Sequence, residues 1–322
     1  MTKALTPGRW RGLRLTSNTQ HVFTIMAFDQ RGTFTQMLPA DTPYDTAVAI
    51  KSEVVRALSP LVSAVLLDTE YGLTAALELP KSSGLLMAVE KSGYSGDSTY
   101  RHAEMYPDWN VEKIKRMGAA AVKMLVYYHP GAGALAEEIE ALVEDICKQC
   151  HEHDLPLFLE PISYSLDANV EKSSAEFAMQ RPEIVRETAQ RLNRLQPDVL
   201  KLEFPVDVDF DSDQNNWRAA CEAVSTACDV PWVLLSAGVD YDVFEPQVRV
   251  ACQSGASGFL AGRAIWKEAI PMTAADRQGF LAAAGMGADR LKRLTEITDQ
   301  YGRPWTDFYQ PVTPAEGWYS SY

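Results

Sequence analysis

Short apolar runs rich in Val, Leu, Ile and Phe recur along the chain at 22–28, 63–68, 85–90, 120–127, 157–160, 198–203, 232–236 and 257–261. Between them apolar residues return every three or four positions, at 46–58, 111–117, 135–153, 182–195, 215–228 and 244–253. The first pattern is that of strands buried on both faces, the second that of helices with one buried face. Strands that alternate with helices run parallel, because each helix is the crossover between neighbours. Only the segment 73–79, after the second run, is a weak helix. Eight such runs predict an α/β fold, a closed (β/α)8 TIM barrel. A doubly wound sheet is the alternative, and it needs fewer strands and a reversal of strand order.

No Gly/Ser or Pro-rich linker, repeat or low-complexity tract interrupts this alternation, so one domain is expected over 1–322, with a barrel core at about 22–270 and a tail at 271–322. After the last strand, helical patterns continue at 263–270, 274–285 and 289–301. The final segment carries Trp305, Phe308, Tyr309, Trp318, Tyr319 and Tyr322. Such an aromatic tail is expected to pack across the barrel or on a neighbouring subunit, and a homo-oligomer, a dimer first, is the expected assembly.

Charge and cysteine usage narrow the partners. The formal net charge is −13, from 30 Lys and Arg against 43 Asp and Glu. That balance argues against nucleic acid and anionic membrane surfaces, both of which reward clustered cations. No apolar run approaches the ~18 residues of a transmembrane helix, and the segment from Met1 to Leu5 lacks the apolar region of a signal peptide. Five cysteines, Cys147, Cys150, Cys221, Cys228 and Cys252, form no disulfide framework. They are read as reduced thiols in a cytoplasmic protein.

The chemistry lies where the apolar runs are broken. Lys201 sits within Asp198-Val199-Leu200-Lys201-Leu202-Glu203, Lys123 within Ala120-Ala121-Val122-Lys123-Met124-Leu125-Val126, and Glu160 closes Leu157-Phe158-Leu159-Glu160. A buried cation is costly unless it is paired or used, since loss of water disfavours its charged form. In a barrel the catalytic groups stand at the C-terminal ends of strands. Those ends here bring Asp29, Gln30 and Arg31, then Asp68, Glu90, Lys123, Glu160, Lys201 with Glu203, Ser236 to Gly238, and Gly262 with Arg263. Two buried lysines and a carboxylate point to imine chemistry on a carbonyl substrate, with Lys201 as the attacking amine. Positions 199, 201 and 203 share one face, so Glu203 is an alternative, purely structural partner for Lys201. Rim ion pairs are the alternative for Asp68, Glu90 and Glu203. Glu160 can shuttle protons, and Pro161 is expected to end its strand. Lys123 either binds Glu160 or keeps Lys201 neutral by repulsion. The turns at Ser236-Ala237-Gly238 and Gly262-Arg263 suit a phosphate, with glycines that let the backbone approach and an arginine fork.

Three other patterns carry less. Gly131-Ala132-Gly133-Ala134-Leu135-Ala136 imitates a dinucleotide fingerprint, but it follows the fourth strand and lacks the acid at the end of the next one. The alternating Asp207, Asp209, Asp211 and Asp213 lack the Gly and Glu of a calcium loop, with Ser212 and Arg218 in those places, so they read as a solvated loop that caps the next helix. Cys147 and Cys150, beside His151 and His153, have no second pair to complete a metal site. With His21, His102 and His129 they offer no trio of ligands, and neither metal nor cofactor is expected.

Taken in order, Asp29-Gln30-Arg31-Gly32, Glu90-Lys91-Ser92-Gly93-Tyr94, Ala121-Val122-Lys123, Phe158-Leu159-Glu160, Val199-Leu200-Lys201-Leu202-Glu203, Leu235-Ser236-Ala237-Gly238-Val239 and Gly262-Arg263-Ala264 span almost the whole chain. In this set the sequence resembles the class I tagatose-1,6-bisphosphate aldolases, DeoC/LacD-type enzymes whose family also contains sulfofructosephosphate aldolases. The resemblance implies a (β/α)8 fold and a metal-independent Schiff-base aldolase acting on a small-molecule sugar phosphate. It implies the imine at Lys201, proton transfer at Glu160, and Asp29, Gln30 and Lys123 in the substrate pocket. Ser236, Gly238 and Arg263 would hold the dihydroxyacetone-phosphate end. Apart from the resemblance, Lys91, Arg31 or Arg101 could serve either a second phosphate or a sulfonate, and the sequence does not choose between them. A sulfonated ketose phosphate is the alternative substrate. A sugar-phosphate sensor without turnover is the alternative of another kind, against which the full set of Lys201, Lys123 and Glu160 argues.

Overall fold

All eight apolar runs are strands of one barrel. In the computed structural model, which describes residues 2–320 and 322, a short strand β1 (Lys3–Leu5) precedes β2 (Phe23–Phe28), β3 (Ala64–Leu67), β4 (Gly84–Ala88), β5 (Ala121–Tyr127), β6 (Leu157–Ile162), β7 (Val199–Leu202), β8 (Trp232–Leu235) and β9 (Gly258–Ala261). Strands β2 to β9 close in sequence order, every neighbouring pair parallel, and β9 returns to β2 through Phe23 opposite Gly258. The architecture is a (β/α)8 barrel with further helices at Ala274–Leu281 and Met286–Tyr301.

Register decides which side chains face the barrel axis. Lys123 pairs with Phe158, Phe158 with Val199 and Lys201 with Val233, so these positions share the inner face. The lower layers are apolar: Phe23 and Phe158, from opposite strands, meet edge to face with ring centroids 5.3 Å apart. One layer higher the same faces present Lys123, Glu160 and Lys201. A packed floor under a charged layer is what excludes water from those charges.

Three elements differ from the sequence expectation. The helix before β7 runs Ala175–Asn193, not from 182, with Pro182 inside it. Ser174 starts it by accepting a hydrogen bond from the Phe177 N–H, and the cap offsets the bond that Pro182 cannot donate. Pro161 does not end β6, which continues to Ile162 opposite Tyr127. Beyond Leu159, β6 pairs only with β5, so the absent N–H of proline falls where the ladder is already one-sided. The first residues, left without an element by their polar pattern, form β1 and the helix Pro7–Thr16.

The tail covers the bottom of the barrel. Strand β10 (Tyr309–Pro311) pairs in parallel with β1. Trp305 is fully buried against Trp10 and donates to Ser17 Oγ at 2.9 Å. Tyr309 Oη donates to the Asp198 carbonyl at 2.9 Å, while Arg9 holds the buried Asp198 carboxylate at 2.7 Å. Trp318, Tyr319 and Tyr322 are exposed. Among the described residues no helix is long and apolar enough to cross a membrane.

Candidate active site

A cavity of about 1090 Å³ opens at the C-terminal ends of the strands. Lys201, Glu160 and Lys123 line it, with Asp29, Gln30, Arg31, Glu90, Ser236, Gly238, Gly262 and Arg263, while Asp68 does not.

Its centre is a buried charge cluster. The Lys123 ammonium, 1% exposed, lies 2.8 Å from Asp29 Oδ2, 2.8 Å from Glu90 Oε1 and 3.0 Å from Glu160 Oε2. Lys201 lies 2.8 Å from the same Oε2 of Glu160. These approaches to Oε2 are ionic contacts and miss hydrogen-bond alignment, so that oxygen keeps a lone pair without an aligned donor. Burial works against the charge on Lys123, but Asp29, Glu160 and Glu90 outweigh it and hold its pKa well above the ordinary lysine value. Lys123 is therefore a fixed cation. Asp29 shows the complement: burial pushes its pKa up, Lys123 and Lys201 pull it down further, and the carboxyl stays well below its usual range.

The structure assigns Glu203 elsewhere. It accepts from Ser163 N–H at 2.8 Å and binds Lys172, with Arg181 at 3.9 Å, so Lys201 pairs with Glu160 and not with its strand neighbour. Burial raises the Glu203 pKa, yet Lys172 and Arg181 bring it below the ordinary value. Asp68 and Glu90 are likewise not rim pairs. Glu90 accepts from Lys123 and lies 3.5 Å from Arg31, whose guanidinium also donates to the Glu90 carbonyl at 2.8 Å and to Tyr106 at 3.4 Å. Arg31 thus spends its fork on the wall of the cavity. Lys91 pairs with Glu104 at 3.5 Å.

Asp68 reveals a group that the sequence reading missed. Lys51, fully buried, binds Asp68 and donates to the Phe28 and Gln30 carbonyls, both at 3.0 Å. It lies over the rings of Phe28 and Phe34, at 4.5 and 4.9 Å. This ammonium fixes the turn that carries Asp29, Gln30 and Arg31. A signal existed: Ala47, Lys51, Val54, Val55 and Leu58 form the buried face of the helix Tyr44–Leu58, and a lysine stands at a core position of that stripe. Lys51→Met leaves a buried carboxylate unpaired and is expected to cost about 3–5 kcal/mol. Joint replacement of Asp68 by Leu should restore most of that, as read from denaturation midpoints. A single variant as stable as the parent would contradict the arrangement.

Residues Ser236, Gly238, Gly262 and Arg263 build the other wall. Ala237 and Gly238 both adopt left-handed backbone, φ +48° and +84°, which is costly for Ala237 and available to Gly238. A Cβ on Gly238 would stand 2.7 Å from Arg263 Cζ, so the arginine lies against this turn. The Gly262 N–H, expected to face an anion, donates instead to Ser236 Oγ at 3.2 Å and ties β9 to β8. Trp266 anchors the following turn: its indole N–H donates to the Ala27 carbonyl at 3.0 Å, and it stacks on Phe28. Among the described residues Arg263 has no carboxylate partner, which leaves its fork open to the cavity. Gly238→Ala is expected to raise KM by roughly 10-fold or more with less effect on kcat, because strain and displacement fall on the arginine and not on the lysines. Steady-state kinetics would reject this by showing a pure kcat loss.

The acidic run after β7 and the cysteines have plain structural roles. Asp213 caps the helix Gln214–Ala227 by accepting from the Asn215 N–H at 2.9 Å. All five cysteines are free and buried, and burial pushes the Cys147 thiol up to about 12.

A closed parallel barrel with a charged cavity at the C-terminal strand ends is the layout of a barrel enzyme. Comparison with known proteins makes this specific. The family model for DeoC/LacD family aldolases matches residues 23–268. Tagatose 1,6-diphosphate aldolase 2 of Enterococcus faecalis is 33% identical over 324 residues, covering 94% of this chain and 96% of that protein. Tagatose 1,6-diphosphate aldolase 1 of Streptococcus pyogenes is 32% identical over 309 residues, 89% of this chain and 94% of that protein. The chain belongs to the DeoC/LacD family and is an aldolase, a carbon–carbon lyase. Solved structures share the fold: an archaeal fructose 1,6-bisphosphate aldolase superposes with a TM-score of 0.60 at 18% identity, over 90% of this chain and 98% of that one. The fructose-bisphosphate aldolase from Slackia heliotrinireducens gives 0.62 at 15% identity, over 88% of each chain.

Proposed function

We propose that this aldolase is of class I and cleaves a ketose 1,6-bisphosphate, tagatose 1,6-bisphosphate first, to dihydroxyacetone phosphate and glyceraldehyde 3-phosphate. The observation that carries the reading is one carboxylate oxygen, Glu160 Oε2, held 2.8 Å from Lys201 and 3.0 Å from Lys123 inside the cavity. The substrate is favoured by the names of the relatives at about one-third identity.

The residues divide the work as follows. Lys201 gives a proton to Glu160 and attacks the C2 carbonyl, which adds the amine across C=O to a carbinolamine. Glu160 returns the proton to the C2 hydroxyl, water leaves, and a cationic iminium remains. Glu160 then takes the C4 hydroxyl proton, the C3–C4 bond breaks, and its electron pair moves into the iminium to give an enamine. The aldehyde departs. Glu160 passes that proton to C3, and water hydrolyses the resulting iminium to release dihydroxyacetone phosphate and return Lys201 as its ammonium. Lys123 remains protonated throughout, locked by Asp29 and Glu90, and offsets the negative charge developing on the hydroxyl oxygens. Arg263, beside the Gly238 turn, receives the C1 phosphate.

Coupled detection of triose phosphate with tagatose 1,6-bisphosphate, fructose 1,6-bisphosphate and sulfofructose 1-phosphate side by side tests the substrate. Highest kcat/KM is expected for the tagatose compound, and a larger value for the sulfonate would replace it. Turnover is expected to survive a strong chelator unchanged, because the carboxylates here converge on an ammonium. Loss of activity that returns with a divalent cation would overturn the Schiff-base reading.

A further inference from the structure

The helix Tyr241–Gln253, which follows β8, brings to the cavity a buried polar side chain that the mechanism above leaves unused. Its buried residues are Phe244, Gln247, Val248, Val250, Ala251 and Cys252, so Gln247 holds a position otherwise given to small or apolar side chains. Gln247 is 5% exposed and lines the cavity. Among the described residues its carboxamide makes no hydrogen bond. Leu235 and Leu260, at the ends of β8 and β9, line the same cavity with Val239 and with Val243, one helical turn before Gln247. Such side chains offer an amide no partner. A carboxamide withdrawn from water without one costs free energy, and most buried polar groups in folded proteins are satisfied.

Position in the fold tells what satisfies it. Long side chains on a helix lean back towards its N-terminus. Here that end adjoins the Ser236–Gly238 turn, since the helix starts at Tyr241. The helix also packs on β9 and on the short helix Arg263–Trp266. Gln247 thus rises behind the corner that Ser236, Gly238 and Arg263 build. A second donor is uncommitted there. Ser236 Oγ accepts from the Gly262 N–H, and among the described residues its own hydroxyl hydrogen has no acceptor. Asp240, at the head of the helix and on the cavity wall, is bound by Lys267.

We propose that Gln247 is a further substrate-binding residue, whose carboxamide N–H donates from the helix layer to an oxygen of the C1 phosphate. The inference rests on the aldolase reading above, which sets that phosphate beside Arg263. A neutral donor suits this place. Its bond to an ionised oxygen is charge-assisted and stronger than one between neutral groups. When the site is empty, an amide among apolar side chains strands no buried charge, as a lysine in the same position would.

Gln247→Leu and Gln247→Glu in the whole enzyme provide the test. Leucine matches the apolar surroundings, so the melting temperature should hold or rise, while KM for the ketose bisphosphate rises roughly 10-fold with kcat little changed. Glutamate keeps the shape but gives up the donor and sets one anion against another, so KM should rise further. A merely structural amide leaves the opposite trace with leucine, a lower melting temperature at an unchanged KM, and that result overturns the proposal. sn-Glycerol 3-phosphate, which carries the phosphate and no carbonyl, reads the contact without imine formation. Its calorimetric affinity should be roughly 10-fold weaker in Gln247→Leu than in the parent. Equal affinities, or no binding by the parent, overturn the contact. A parent that cleaves no ketose phosphate counts against the aldolase reading alone, and the glycerol phosphate titration then decides the role of Gln247.

Discussion

Lys201→Met is expected to lower kcat by about four orders of magnitude or more, since in the proposed mechanism Lys201 forms the covalent intermediate that divides the reaction into accessible steps. The effect should fall on turnover and not on folding. Methionine fills a similar volume, and Glu160 keeps Lys123 as a partner at 3.0 Å. Substrate binding should survive because Arg263 and the Gly238 turn lie on separate strands. Borohydride added with dihydroxyacetone phosphate should reduce the imine and leave a stable adduct on the peptide that carries Lys201. An adduct on Lys123 or Lys172 would move the imine to that lysine. No adduct, with turnover intact in Lys201→Met, would end the Schiff-base proposal.

The second large effect concerns Lys123, and it is an effect on stability with an unusual pH dependence. Lys123→Met removes the cation that Asp29, Glu90 and Glu160, three buried carboxylates, share. Stranding buried charge costs about 3–5 kcal/mol. In the parent, Asp29 has a folded pKa held below its ordinary 3.8, so the unfolded chain binds the proton first. Its contribution is complete above the unfolded value and is lost as pH falls through the folded one. In the variant the sign reverses. Carboxylates crowded without their cation take up protons more readily folded than unfolded, so stability should rise as pH falls from neutrality towards about 4. Denaturant midpoints across that range should diverge in slope between the two proteins, and parallel curves would show that Lys123 does not neutralise the cluster. Kinetically, the variant should lose turnover as well, because in the proposed mechanism the Lys123 ammonium faces the developing oxyanions.

Much of this was legible in the chain. The barrel was, because the alternation of short apolar runs with helical periodicity is a local property, repeated eight times. So were the positions of Lys123, Glu160 and Lys201, because a charge inside an apolar strand is visible without any partner. The partners were not legible. Glu203 shares a face with Lys201, yet it turns to Ser163 and Lys172. Lys51 hid in a helix, where a lysine is ordinary until packing makes its position a core position. Pro182 sits inside a helix that Ser174 starts a full two turns earlier.

Fold class, strand order and the residues at the C-terminal strand ends follow from the order of amino acids alone. Strand period, helix period and the cost of buried charge are each decided within a few residues. Closure of the barrel sets the rest: Glu160 lies beside both lysines, Asp29 and Glu90 fix Lys123 as a cation, and tyrosine rings pack around Arg101. Those choices depend on distances between strands far apart in the chain, and charge, unlike periodicity, is settled by whatever lies within a few ångströms once the barrel has closed.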